Sequence, residues 1–154
     1  MSATDANIYR LCRAKTRMSQ ELWAECLGIS VESVKRYELG NSVPSNSVVL
    51  RMINISGYEA LAVQHLINTS RSLDVLPSFK ADVSLTQAAV QLINRVMDFA
   101  DSRRDRQLLK IAEDGEITDD ERPLFNDILE ELQDIISAAY QVRYADDGGE
   151  AKVK

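Results

Sequence analysis

Residues Ser19 to Gly40 read SQELWAECLGISVESVKRYELG, and their spacing decides the fold of the first half of the chain. Ser19 is suited to cap a helix, with Gln20 and Glu21 in its first turn. Leu22, Trp23 and Leu27 give that helix an apolar side, and Ala24 offers a small surface against which a second helix can cross closely. Gly28 falls just past the last periodic residue, where a left-handed residue ends a helix at little steric cost. Ile29 is then expected as a buried corner, Ser30 as the cap of the next helix, and Val34 and Tyr37 as its inward side. Two short helices joined by so brief a turn cross steeply, which leaves the second one prominent on the surface.

Working outward, the periodicity predicts further helices over about 6–17, 45–56 and 58–68, with Pro44-Ser45 as a start signal and Gly57 as a stop. Ile8, Leu11, Leu22, Leu27, Val34, Tyr37, Leu50, Ile53, Leu61 and Leu66 are the expected shared core. Ser19-Gln20, Ala24, Leu27-Gly28-Ile29-Ser30, Val34 and Tyr37-Glu38 followed by Gly40 together resemble the Cro- and lambda-repressor-like (XRE) helix-turn-helix family. The resemblance covers roughly 7–68, with Trp23 where the family usually carries leucine. It implies a five-helix DNA-binding domain, and it implies that Gln20 donates to a DNA phosphate. It also implies that Arg13 and Glu38 form an ion bridge between the first and third helices.

In proteins of this shape the exposed residues near the start of the second helix face the major groove. Here these are Ser30, Val31, Glu32, Lys35 and Arg36. Lys35 or Arg36 can donate to guanine, Glu32 can accept from a cytosine amino group, and Val31 can meet a thymine methyl. The plainer reading of Glu32 and Arg36 is an i,i+4 surface pair worth only about 0.3–0.5 kcal/mol. Ser19 joins Gln20 as a phosphate candidate. Asn41, Ser42, Ser45 and Asn46 are small donors suited either to phosphate or to turn and cap chemistry.

The net charge of −6 argues against a nucleic-acid partner until it is divided. Residues 1–72 hold eight Lys or Arg and six acids, a net of +2, whereas residues 73–154 hold ten and eighteen, a net of −8. Charges more than a Debye length of ~8–10 Å apart are screened, so the local field of one face matters more than the total. A mildly basic head on an acidic body is compatible with DNA.

Residues 69–83 lack periodicity and contain Pro77, so they read as a linker. Leu73, Val75, Leu76 and Phe79 make it too apolar to be freely solvated. Beyond it, 84–145 reads as a two-helix antiparallel hairpin. The first helix runs from a Ser84 cap to about Asp114 on the stripe Leu85, Ala89, Leu92, Val96 and Phe99. The second starts at a Thr118-to-Glu121 capping box and turns Phe125, Ile128, Leu129, Leu132, Ile135, Ile136, Ala139 and Tyr140 inward. Leu129, Ile136 and Tyr140 widen that stripe beyond what one helix can bury, so a homodimer through 84–145 is expected. The tail 146–154 reads as disordered.

Other chemistries find little support. Gly115, Ile117 and Glu121 have the spacing of an EF-hand calcium loop, but its first and third ligands would be Lys110 and Ala112, which cannot bind a hard cation. The sequence has no phosphate-cradling glycine loop and no nucleophile with its base, so neither an enzyme nor a cofactor is expected. His65 is a lone histidine expected on a partly exposed helix face. Cys12 and Cys26 read as small buried hydrophobes in a reducing compartment. No apolar run approaches 18 residues and the N-terminus lacks a signal-peptide pattern, so a cytoplasmic protein without membrane contact is expected. The sequence thus predicts an all-α, sequence-specific DNA-binding transcription regulator of the phage or prophage repressor type. The alternative is an adaptor or antitoxin-like module whose acidic tail holds a partner protein.

Overall fold

A computed structural model describes residues 7–73 and 75–146 of the chain. The regular elements among the described residues are all helices, with no β-strand. Residues 1–76 and 77–154 form two compact units.

The first unit holds α1 (Ile8–Thr16), α2 (Gln20–Leu27), α3 (Val31–Glu38), α4 (Asn46–Ser56) and α5 (Ala60–Ser70), with a 3-10 turn, Arg71–Leu73, after them. Local chemistry sets the ends. Asn7 Oδ1 accepts from the backbone N–H groups of Tyr9 and Arg10, Ser19 Oγ from Leu22, and Ser30 Oγ from Ser33. Gly28 and Gly57 adopt φ of +64° and +69° at the ends of α2 and α4. Arg17, with φ +58°, closes α1 in the same left-handed conformation despite its Cβ.

The core is not the expected one throughout. Leu27, Val34 and Leu61 are buried as the periodicity predicts. Leu22, Leu50 and Leu66 instead stand 47%, 58% and 53% exposed, while Tyr9, Cys12, Trp23 and Met52 fill the interior. The larger rings take the inward positions because each aromatic ring removes more apolar surface from water than a leucine. Cys12 is buried and donates to Ser56 Oγ at 3.2 Å, but Cys26 is exposed, contrary to expectation.

His65 is a second correction, being 5% exposed rather than partly solvated. Its Nδ1 lies 2.9 Å from Tyr9 Oη and its Nε2 lies 3.0 Å from Asn46 Oδ1. A neutral ring satisfies both contacts, accepting from the tyrosine and donating to the amide oxygen. The chain of three side chains ties α1, α5 and α4 together. Asn46 thereby serves packing through its Oδ1.

The second unit holds α6 (Leu85–Asp101), α7 (Arg104–Ile111) and α8 (Arg122–Tyr144). The long first helix of the expected hairpin is therefore two helices. Continuing the stripe Leu85–Ala89–Leu92–Val96–Phe99 past Asp101 would turn Arg103, Arg106 and Lys110 inward. The chain breaks instead at Ser102 and Arg103, the latter at φ +55°, and α7 restarts in a new phase that buries Ile111. Arg104 holds the new course by pairing with Glu131 of α8 (Nη2 to Oε1, 2.7 Å). The helix α8 also begins later than the box at Thr118 predicts. Glu121 accepts from the Thr118 N–H and hydroxyl, but these residues form a turn ahead of the helix.

Within the stretch read as a linker, Leu73 and Val75 are exposed, whereas Ala81 is buried. Phe79 packs against Tyr140 and Tyr144, with centroids 5.3 and 5.8 Å away. Asp146 bridges to this strap through its N–H to Val83 and its carbonyl to Leu85. The expectation of a disordered tail falls almost wholly on 147–154, outside the described residues.

Candidate nucleic-acid interface

The helix α3 is anchored from behind. Val34 is 1% exposed against the core, and Asn7 Nδ2 donates to the Tyr37 carbonyl at 2.8 Å. Arg13 grips Glu38 with both arms of its guanidinium, Nε to Oε1 at 2.6 Å and Nη2 to Oε2 at 3.0 Å. Its remaining nitrogen, Nη1, donates to the Met18 carbonyl at 2.8 Å. The side chains of this pair are only 18% and 6% exposed, so it forms in a medium that strengthens paired charges and penalises lone ones. Burial opposes ionisation of Glu38, but the hydrogen bonds from Arg13 and Gln20 outweigh it and hold the carboxyl below its ordinary range. The same bond raises Arg13, which stays charged.

Gln20 completes this anchor, its Nε2 donating to Glu38 Oε2 at 2.8 Å. An amide NH₂ carries two hydrogens, so the second can still reach an outside acceptor. Ser19 caps α2 and also bonds Glu21, whose carboxyl is lowered chiefly by its own backbone N–H and then by that hydroxyl. Ser30 is likewise engaged as the cap of α3, 2.8 Å from the Ser33 hydroxyl.

Turning away from Val34, α3 presents Glu32, Lys35 and Arg36 to solvent, with Val31 half-buried at the edge. Leu39 shares this outward side and is 73% exposed. Gly40, at φ +75°, then reverses the chain, and the Asn41 and Ser42 N–H groups both bond the Arg36 carbonyl. Asn41 is exposed and Ser42 half-buried.

Beside this surface runs a groove of about 300 Å³ lined by Arg10, Arg13, Gln20, Lys35, Glu38 and Leu39. Its walls carry three cations and one carboxylate, which favours an anion at its mouth. Arg10 was not singled out in the sequence; its one visible signal is its place one turn before Arg13 on α1. Leu39 was likewise not singled out. Among the described residues no three His, Cys, Asp or Glu are grouped to hold a metal ion, and no helix is long and apolar enough to cross a membrane. The chain matches no known family model, no curated protein and no solved structure.

Proposed function

We propose that residues 1–68 are a helix-turn-helix domain of the Cro- and lambda-repressor-like arrangement. In this reading the chain is a sequence-specific regulator that lays α3 in the major groove of double-stranded DNA. One observation carries the reading. The only surface of α3 free of the core bears Glu32, Lys35 and Arg36, while Arg13, Glu38 and Gln20 clamp its back. Arg36 and Lys35 supply guanine donors, Glu32 a cytosine acceptor, and Val31 an apolar contact. Ser19, Gln20, Asn41 and Ser42 flank the helix and take phosphates. The resemblance to phage and prophage regulators extends the proposal to repression of transcription.

Fluorescence anisotropy with the DNA flanking the chain's own gene, against a scrambled duplex at ~0.15 M salt, tests the reading. The expected result is tighter binding to the flanking DNA. Equal binding to both duplexes, or unchanged affinity in a folded Lys35→Ala, Arg36→Ala variant, overturns it.

A further inference from the structure

The two long helices of the second unit divide their surface by chemistry. Arg95 Nη1 meets Asp134 Oδ2 at 2.6 Å, Arg104 meets Glu131, and the start of α6 bridges to Asp146 beyond the end of α8. These pairs make α6 and α8 antiparallel and set Ile93 level with Ile136. At about 100° per residue, the six carboxylates of the pair fall together. Asp98 and Asp101 on α6, and Asp127, Glu130, Glu131 and Asp134 on α8, all lie on one flank and its outer edge.

The opposite flank is apolar. Ile93, Val96 and Met97 of α6 are 55%, 43% and 55% exposed, and Leu129 and Ile136 of α8 are 41% and 45% exposed. Handedness puts both sets on the same side, because a rotation that is clockwise in one helix is anticlockwise in its antiparallel neighbour. Phe79 covers this surface at Tyr140 and leaves the rest open. Leu85 and Val90 of α6, 43% and 55% exposed, adjoin this surface. Large apolar side chains grouped in water on one face mark an interaction surface.

We propose that this face docks a second copy of the chain, pairing two α6–α8 layers as a four-helix core. Charge selects a second copy over a cationic protein. A unit of net −7, with ten basic and seventeen acidic residues over 77–154, repels itself wherever its acids meet, and these six acids lie off this face. A self-complementary contact by a two-fold axis needs only the apolar stripe.

Sedimentation equilibrium of the full chain from ~1 to 100 µM tests the proposal without DNA, so its outcome is independent of the proposed function. The wild type should approach twice 17.3 kDa. Ile93→Glu with Ile136→Glu should remain helical by circular dichroism and raise the dimer dissociation constant at least 100-fold. A wild type that stays monomeric at 100 µM overturns the proposal, as does a helical double variant that dimerises like wild type. Should that variant unfold, hydrogen exchange of the wild type decides. Protection over 90–100 and 129–136 must rise with concentration, and a concentration-independent pattern overturns the proposal.

Discussion

The amide nitrogen of Gln20 lies 2.8 Å from Oε2 of Glu38, the same oxygen that Arg13 Nη2 reaches at 3.0 Å. A residue proposed to touch DNA and a residue of the scaffold thus share one acceptor. Removing Arg13 strands a carboxylate that is 6% exposed with a single neutral donor. Arg13→Ala should therefore destabilise the first unit by about 3 kcal/mol. Gln20→Ala should cost about 1 kcal/mol. Because the two donors share one acceptor, the double variant should depart from the sum of the singles. Urea titrations of the four proteins measure this, and strict additivity would show that the contacts are independent.

Arg36 and Arg10 should fail differently on DNA. Arg36→Ala is expected to lose about 1–3 kcal/mol at the preferred site and to relax discrimination at one base position. Arg10→Ala, at the groove wall, should weaken all duplexes alike and lower the slope of log affinity against log salt by about one. Salt titrations on two duplexes separate the effects.

Burial holds His65 below its ordinary value of 6.5. Between its folded value and 6.5 the folded chain therefore binds fewer protons than the unfolded one. The contribution is complete above 6.5 and declines as pH falls below it. His65 is the only histidine, so this window is its own. Thermal melts between pH 7.5 and 5 should show a loss of stability below 6.5. His65→Gln should flatten that limb; an unchanged limb would show that the loss has another source.

The two cysteines should differ in reactivity. Burial pushes the Cys12 thiol up to about 11, whereas Cys26 is exposed. At pH 8 only about one Cys12 in a thousand is then thiolate, and it is shielded as well. A thiol reagent should label Cys26 at once and Cys12 only as the protein unfolds. Two equally fast labelling events would show that α1 and α4 do not pack over Cys12.

Helix ends set by neighbouring residues were legible in the sequence: Ser19, Gly28 and Ser30 mark α2 and α3 where the structure has them. Features set by distant partners were not. His65 owes its burial to Tyr9 and Asn46, 56 and 19 residues away. The break after α6 uses an arginine in a left-handed turn, where local chemistry favours glycine. Exchange of Leu22 for Trp23 in the core is one step around a helix, a distinction too fine for periodicity. Within the candidate site, the outward residues of α3 could be read from spacing, whereas the pairing of Arg13 with Glu38 was an implication of the family resemblance alone. The groove wall at Arg10 became visible only once α1 lay beside α3.

The turn at Ser102 and Arg103 also fixes a length. The α6 helix stops after 17 residues, an axial rise of about 25 Å, where an unbroken helix to Ile111 would have run on for another ten residues. In the proposed pairing the apolar flank therefore measures out a contact of four to five turns and then ends. A partner helix much longer than α6 would project past the turn with its apolar residues in water, so the break acts as a ruler that favours a partner of the same length.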